Sequence, residues 1–208
     1  MNPTVIINFK TYKQGEDVLK LAREIEKVCK KAIIGVQASD IYEIARKTKL
    51  RVYAQHIDFF LPGRETGYII PESVKIDGAE GSFLNHSEHK LSFSVLKKTI
   101  KRCNQVGLKT LVFASSVSEA KKIEKLKPDF LVYEPPELVA GKLSVSEAKP
   151  EIIKKIREEI KMPFIAGAGI HSRDDVQIAM KLGASGFAVS SAVVLSSNPG
   201  KVLKLLLS

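Results

Sequence analysis

Short apolar runs alternate with amphipathic stretches along the whole chain, and eight such units in 208 residues give about 26 residues each. Several runs are apolar throughout, which is the pattern of strands buried on both faces of a parallel sheet. The predicted strands occupy residues 4–9, 32–37, 51–55, 81–85, 110–114, 130–134, 163–167 and 186–190. Eight right-handed strand–helix units close into a barrel, so we predict the α/β class with a compact parallel (β/α)8 barrel.

The stretches between the runs carry apolar residues at helical spacing, so that each predicted helix has one apolar face. Such faces lie in units 1, 4 and 6 and comprise Val18, Leu21, Ala22, Ile25, Val28 and Cys29, then Leu96, Ile100 and Cys103, then Ile152, Ile153, Ile156 and Ile160. Capping boxes are predicted at Ser116 with Glu119 and at Ser172 with Asp175, and Pro150 suits a first helical turn.

The third unit is irregular, because residues 56–74 hold a long segment with Pro and Gly before the predicted helix. A barrel of this kind usually has around 250 residues, so the helices and loops of this chain must be short. No shift in composition divides the chain. We therefore expect one domain over residues 1–208.

The formal net charge of +10 raises the possibility of nucleic-acid binding. The Lys and Arg residues are scattered over predicted helices and mixed with Glu, which favours solvated helix faces over a nucleic-acid surface. Abundant Lys, Glu and Ile also suits a thermostable protein. A positive potential would assist the approach of a dianionic substrate.

The sequence gives no sign of secretion, membrane insertion or metal binding. Its first residues lack a basic start followed by a long apolar stretch, and no apolar run approaches the ~20 residues of a membrane span. Cys29 and Cys103 fit buried thiols in a reducing compartment, and no CxxC or HxxxH spacing occurs. We expect a cytoplasmic protein without a metal or cofactor.

The active site of such a barrel is built at the carboxyl ends of its strands. Glu134 directly follows the apolar run FLVY, and partial burial there would raise its pKa toward the range of a general base. His86 could be an acid, a base or a neutral donor, and Lys10 would supply a cation for a phosphate or an enolate. Each could also be an ordinary surface or structural residue.

The loops after predicted strands 6, 7 and 8 suggest a lid and a phosphate site. Residues 135–141 read as a closing lid, with proline at one hinge and Gly141 at the other, or as an ordinary surface loop. Backbone N–H groups could approach a ligand closely at Gly167 and Gly169, and the helix behind Ser190 and Ser191 offers free N–H groups.

Seven motifs together resemble the triosephosphate isomerase family, and in particular its short archaeal form. In order they are NFK (8–10), AQHID (54–58), TGYIIPE (66–72), LNHSEHK (84–90), YEPPELV (133–139), AGAGI (166–170) and GFAVSSAV (186–193). The similarity extends from Ile6 to about Pro199. It implies a TIM barrel that interconverts dihydroxyacetone phosphate and D-glyceraldehyde 3-phosphate through an enediolate, in glycolysis and gluconeogenesis.

The resemblance also implies residue roles. Asn8 and Lys10 bind and polarise the substrate, His86 is a neutral electrophile, and Glu134 is the base. Ser87 and Glu88 match the supporting residues, with Glu88 beside Lys10. The lid corresponds to residues 135–143, and phosphate would be held by backbone N–H groups near Ala140, Gly169, Ser190 and Ser191. No metal or redox cofactor is implied.

The third loop, with Thr66 and Gly67, matches the family's loop that reaches into a neighbouring subunit, which implies a homo-oligomer of at least two chains. Two loops depart from the family. Residues 140–142 read Ala-Gly-Lys where Gly-Thr-Gly is usual, and Ser190-Ser191 stands where paired glycines are common.

Three other functions remain open from the residues alone. A metal-dependent sugar-phosphate epimerase would need His and Asp ligands on several strands, and a Cys/Asp isomerase would need a cysteine at a strand end. Cys29 and Cys103 both fall on predicted helices instead. A basic scaffold for nucleic acid would need its Lys and Arg residues to converge on one face.

Overall fold

The computed structural model describes residues 3–139 and 151–208, and the eight predicted strands form there and close into a parallel barrel. Neighbouring strands pair in chain order, and β8 returns to β1 with Thr4 opposite Gly186 and Ile7 opposite Val189. The fold class predicted from the sequence is thereby confirmed. The strands are β1 (Thr4–Asn8), β2 (Ile33–Val36), β3 (Arg51–Ala54), β4 (Gly81–Leu84), β5 (Lys109–Ala114), β6 (Phe130–Tyr133), β7 (Phe164–Ala166) and β8 (Gly186–Val189).

Helices connect the strands and surround the barrel. Within the two described ranges they are α1 (Glu16–Val28), α2 (Ala38–Lys47), α3 (Pro71–Asp77), α4 (Phe93–Val106), α5 (Val117–Glu124), α6 (Pro136–Val139), α7 (Glu151–Glu159), α8 (Arg173–Lys181), α9 (Ser191–Val194) and α10 (Pro199–Leu207). Most of the predicted apolar faces of α1 and α4 is buried, including Val18, Ile25, Leu96 and Ile100, whereas Val28 and Cys29 at the end of α1 are half-buried. None of these helices is long and apolar enough to cross a membrane.

The core has two layers because side chains alternate across each strand. One layer fills the space between the strands and the helices. The other fills the barrel interior and consists of Ile6, Ile33, Tyr53, Phe83, Leu111, Phe113, Val132, Ile165 and Ala188. The interior is therefore a packed core rather than a pore, and a polar site can form only at the ends of the strands.

The two predicted capping boxes differ. At α8 both halves form, because the Ser172 hydroxyl accepts from the N–H of Asp175 while the Asp175 carboxylate accepts from the N–H of Ser172. At α5 Ser116 accepts from the N–H of Glu119, but the Glu119 carboxylate binds other groups, so only half of that box is confirmed. The proline predicted for a first helical turn, Pro150, lies outside the described residues.

The third unit is irregular, as the sequence predicted, and no helix begins after β3 until Pro71. Asp58 closes the base of this loop, because its N–H donates to the carbonyl of Ile69 at 2.7 Å and its carboxylate accepts from the N–H of Ile69 at 2.9 Å. The ring centroids of Phe60 and Tyr68 lie 4.3 Å apart, and the side chain of Tyr68 is exposed. The loop is thus a tied projection with apolar side chains on its surface.

Candidate active site

A cavity of about 140 Å³ opens at the carboxyl end of the barrel. Its lining includes every site residue predicted from the sequence that lies within the described ranges, except Glu88, which lines the adjoining cleft beside Lys10. These residues are Asn8, Lys10, His86, Ser87, Glu134, Gly167, Gly169, Ser190 and Ser191. Ala140, and with it the Ala140-Gly141-Lys142 departure in the lid, lies outside the described residues.

The end of β1 brings Asn8 and Lys10 to the cavity. Lys10 has a left-handed backbone with φ 48°, which a non-glycine residue adopts at a cost. Its N–H donates to the side-chain carbonyl of Asn8 at 3.0 Å, and its carbonyl accepts from the amide of Gln55 at 2.8 Å. These two bonds stabilise the turn. Because the side-chain oxygen of Asn8 accepts from Lys10, the Nδ2 group of Asn8 faces His86.

His86 follows β4, and its tautomer follows from one hydrogen bond. The backbone N–H of Glu88 donates to Nδ1 of His86 at 3.2 Å, so Nδ1 is an acceptor and the neutral ring carries its hydrogen on Nε2. Burial lowers the pKa of His86 to about 4, with Glu88 opposing the decrease and Lys10 adding to it. The imidazole is therefore neutral near pH 7, and its Nε2–H faces the cavity beside Nδ2 of Asn8, 3.4 Å away.

Glu134 lies at the end of β6, where its N–H donates to the carbonyl of Ala114 at 2.8 Å. Its carboxylate is buried, and Oε2 lies 3.6 Å from Nε2 of His86. Among the described residues Oε2 has no hydrogen-bond partner. Burial raises the pKa of Glu134 to about 8, although the positive charge of Lys10 lowers it in part. The side chain is thus a poorly solvated carboxyl that faces a neutral N–H donor.

Lys10 and Glu88 form an ion pair at the mouth of the cavity, with Nζ and Oε1 2.6 Å apart. The pair places the ammonium group of Lys10, which follows β1, against the loop that carries His86. The family resemblance implied that Glu88 lies beside Lys10. Because the lysine side chain is mostly buried and its partner mostly exposed, the cation lies on the cavity side of the pair.

Gly167 contributes in a different way from the one predicted. Its N–H donates to the carbonyl of Tyr133 at 2.8 Å within the barrel, so the expectation that this N–H approaches a ligand is wrong. A Cβ atom at residue 167 would lie 2.4 Å from Cγ of Glu134 and 2.5 Å from Cγ1 of Val132. Glycine is required here because the side chains of Glu134 and Val132 occupy the space that a Cβ atom would need.

The other side of the cavity is formed by the ends of β7 and β8. Gly169 turns the chain with φ 72°. The hydroxyl of Ser190 donates to the carbonyl of Asn8 at 2.7 Å and so ties the end of β8 to the end of β1. Ser191 begins α9, and the first N–H groups of a helix lack partners within it. This end of the cavity can therefore donate hydrogen bonds to an anion.

The sequence did not single out several residues that shape the site. Phe113, Leu138 and Ile170 supply apolar walls, and the ring of Phe113 meets that of His86 edge to face at 4.8 Å. His171 is exposed and also lines the cavity. His89 is exposed, and its ring stacks on that of His56 with the centroids 4.1 Å apart. In the part of the chain described here, no three His, Cys, Asp or Glu side chains are grouped to hold a metal ion.

A closed parallel barrel with a carboxyl, an imidazole and an ammonium group at its carboxyl end belongs to the class of (β/α)8-barrel enzymes. Comparisons with known proteins identify the family. The sequence model of triosephosphate isomerase matches residues 3–206. The chain therefore belongs to the triosephosphate isomerase family, which confirms the resemblance seen in the seven motifs.

Full-length relatives are similar along nearly the whole chain. Triosephosphate isomerase from Sulfurisphaera tokodaii is 40% identical over 212 residues, covering 97% of this chain and 93% of the relative. The enzyme from Methanobacterium bryantii is 38% identical over 217 residues, covering 99% and 96%. The crystal structure of triosephosphate isomerase from Bartonella henselae superimposes with a TM-score of 0.75 at 17% identity, covering 93% of this chain and 94% of that one, and it supports the fold.

Proposed function

We propose that Glu134, His86 and Lys10 are the catalytic groups with which this member of the triosephosphate isomerase family acts. The reaction is the interconversion of dihydroxyacetone phosphate and D-glyceraldehyde 3-phosphate, a step of glycolysis. The observation that carries the proposal is the buried Oε2 of Glu134, which is unpaired among the described residues and lies 3.6 Å from Nε2 of His86. Both residues line the same cavity, so a substrate bound there can contact the base and the donor together.

In the proposed reaction, Glu134 removes a proton from the carbon next to the carbonyl, and the electrons of that C–H bond move onto the carbonyl oxygen. The Nε2–H of His86, the side-chain amide of Asn8 and the ammonium of Lys10 stabilise the resulting enediolate. A proton then passes between the two enediol oxygens, and Glu134 returns its proton to the neighbouring carbon. Atoms and charge balance without any further reactant.

The electrostatics of the site support these roles. Burial raises the pKa of Glu134 to about 8, and a carboxylate with a raised pKa is a stronger base toward a carbon acid. His86 is held neutral by burial and by the N–H of Glu88 on Nδ1, so it donates a hydrogen bond without first losing a proton to solvent. Ser87 and Glu88 would support this arrangement, the latter through its pair with Lys10.

We propose that the phosphate group binds where β7 and β8 end, to backbone N–H groups at Gly169, Ser190 and Ser191, and at Ala140 of the lid. The helix that begins at Ser191 supports this assignment, because unpaired N–H groups at a helix start favour anions. The net charge of +10 favours the approach of the same dianion. Closure of the lid, residues 135–143, over the bound substrate would exclude water from the enediolate.

We also propose that the chain assembles into at least a dimer through the third loop, which includes Thr66 and Gly67. Exposed apolar side chains on a tied loop support this, since such patches commonly mark interfaces. Analytical ultracentrifugation of Tyr68→Asp should reveal dissociation. The matched control is Ile76→Asp on α3, because Ile76 is more exposed than Tyr68, at 78% against 52%, and lies outside the loop. An unchanged sedimentation coefficient for Tyr68→Asp would contradict the proposal.

A cytoplasmic location, a single domain over residues 1–208 and heat stability remain part of the proposal. Reduced thiols at Cys29 and Cys103 support the first, and the barrel formed by strands from β1 to β8 supports the second. The abundance of Lys, Glu and Ile supports the third.

The proposed roles are tested by a coupled assay with glyceraldehyde 3-phosphate on purified protein, with a chelator present. Glu134→Asp draws the base back by about one methylene, and we expect turnover to fall at least about 100-fold from that misplacement. Glu159→Asp makes the same change on the outer face of α7 and should leave turnover unchanged. Near-normal turnover of Glu134→Asp would refute the assignment of the base.

A further inference from the structure

Asn85 lies between the last residue of β4 and His86, and its backbone is left-handed with φ 61°. Its side chain is 2% exposed and uses all of its hydrogen-bonding groups. Nδ2 donates to the carbonyl of Phe113 at 2.8 Å and to Oε1 of Glu119 at 2.8 Å, while Oδ1 accepts from the N–H of Leu91 at 3.0 Å. Asn85 therefore joins the start of the loop that follows β4, residues 85–91 (the β4 loop), to the end of that loop and to the neighbouring β5 unit.

Glu119 is itself fixed, so the partner of Asn85 is a rigid one. Its Oε2 accepts from the N–H of Ser115 at 2.7 Å and from the Ser115 hydroxyl at 2.8 Å. Nζ of Lys90 lies 2.8 Å from Oε1 and 2.9 Å from Oε2. Burial alone would raise the pKa of Glu119, but hydrogen bonds from Lys90, Ser115 and Asn85 lower it below its ordinary value. The carboxylate stays ionised and accepts from both loops.

The loop 85–91 is thus clamped at both ends, and it carries His86 between the clamps. At its start, the side chain of Asn85 is bonded to Glu119. At its end, Lys90 is bonded to Glu119 and the N–H of Leu91 is bonded to Asn85. We propose that Asn85, fixed by Glu119, is a positioning residue that sets the imidazole of His86 in the orientation that directs Nε2 toward Glu134. This inference rests on the proposed role of His86. It assigns a positioning role to Asn85 and Glu119, which do not line the cavity.

Two properties of Asn85 can be separated by substitution. Glycine adopts φ 61° without strain, so Asn85→Gly keeps the turn and removes the three side-chain hydrogen bonds. Asn85→Asp keeps the shape of the side chain but loses both donors and sets a carboxylate against Glu119 and against the carbonyl of Phe113. Adding Glu119→Gln to Asn85→Asp restores a donor between residues 85 and 119, so the double variant is a rescue.

The experiment measures kcat, KM and thermal unfolding for these variants, together with the nitrogen-15 shifts of His86. We expect kcat to fall at least about tenfold in Asn85→Gly and further in Asn85→Asp, with KM changed less than about threefold, because misplacing a catalytic group affects the chemical step most. The double variant should recover part of the kcat lost in Asn85→Asp. The His86 shifts should change from a single tautomer with the hydrogen on Nε2 to a mixture in Asn85→Gly.

Ser82→Ala is the matched control, since Ser82 is also buried on β4 and its hydroxyl also donates to backbone carbonyls. It should lower the unfolding temperature and leave kcat and the His86 shifts unchanged. The inference is overturned if Asn85→Gly and Asn85→Asp lose stability like the control while kcat stays within twofold and His86 keeps one tautomer.

His86→Gln distinguishes this outcome from a failure of the proposed function. Full turnover in that variant would refute the role of His86 and the inference together. A large loss in His86→Gln with normal Asn85 variants would overturn only the inference.

Discussion

The two ends of β6 carry acidic residues that differ in almost every physical respect. Asp129 immediately precedes the strand, and its carboxylate accepts from Nζ of Lys109 at 2.7 Å and from the N–H of Thr110 at 2.9 Å. Glu134 immediately follows the strand, is buried, and leaves Oε2 unpaired among the described residues. One strand of four residues thus separates a satisfied acid from an unsatisfied one.

The pKa values of these acids shift in opposite directions. For Asp129, burial would raise the pKa, but hydrogen bonds from Lys109 and Thr110 outweigh it and hold the pKa below its ordinary value. For Glu134, burial dominates and raises the pKa to about 8. In this fold the amino end of a strand typically contributes stability and the carboxyl end contributes chemistry, so the contrast supports the role proposed for Glu134.

The largest expected effect comes from neutralising each acid in turn. Glu134→Gln cannot accept a proton from carbon, so we expect kcat to fall about 100- to 10,000-fold. Asp129→Asn removes a charged acceptor at the opposite end of the barrel and should leave kcat within twofold. Steady-state assays of both purified variants check this. The contrast between the two ends fails if the two substitutions reduce kcat by similar factors.

A smaller effect should follow from adding a methyl group at either end. Gly167→Ala would bring Cβ to 2.4 Å from Cγ of Glu134, so displacement of the base should reduce kcat about 10- to 100-fold. Gly186→Ala would bring Cβ to 2.2 Å from the carbonyl oxygen of Thr4 at the amino end of β8.

That overpacking should lower the free energy of unfolding by about 1–3 kcal/mol, with kcat unchanged well below the unfolding temperature. Assays and thermal melts of both variants separate the two outcomes. Loss of kcat in the folded Gly186→Ala variant, or normal kcat in Gly167→Ala, would contradict the account.

The third comparison concerns stability as a function of pH. Because the folded pKa of Glu134 is raised from 4.5 to about 8, the folded state holds a proton that the unfolded state releases in that window, and stability falls as pH rises through it. Glu134→Gln removes this cost, so its gain over the parent should be near zero below pH 4.5 and grow to the order of a few kcal/mol by about pH 8.

Asp129→Asn should have the opposite sign. The folded pKa of Asp129 lies below its ordinary value, so this acid contributes stability above that value which is lost as pH falls through the folded pKa. The variant should therefore be less stable than the parent near neutral pH. Urea unfolding of the parent and both variants between pH 4 and pH 9 measures these differences, and a constant gain for Glu134→Gln would refute the sign argument.

Much of the fold could be predicted from the sequence because the strands are buried on both faces. Several runs, such as residues 130–133, are apolar throughout, which favours strands of a parallel sheet, and eight strand–helix units in succession favour closure into a barrel. Once the strands were predicted, their carboxyl ends were known as well. Asn8, Lys10, His86 and Glu134 could therefore be named as candidate site residues from the sequence. Seven of the eight strands were predicted one or two residues too long, and β5 begins one residue earlier than predicted, at Lys109.

What the sequence could not predict depends on contacts between distant residues. The reason for glycine at residue 167 is the side chain of Glu134 on the neighbouring strand, and no local pattern carries that information. The bond from Asn85 to Glu119 spans 34 residues, so Glu119 was interpreted as a capping residue when its carboxylate in fact holds the β4 loop. Local spacing identified the residue correctly and missed its partners.

The most direct test of the central contrast is a carbon-13 NMR titration of the side-chain carboxyl groups, with Glu134→Gln and Asp129→Asn used to assign the two signals. We expect Glu134 to titrate with a pKa of about 8 and Asp129 to titrate with a pKa below its ordinary value of 3.8 in the same sample. A pKa of Glu134 near its ordinary value of 4.5 would contradict it, because burial would then not have made this acid different from the one at the other end of the strand.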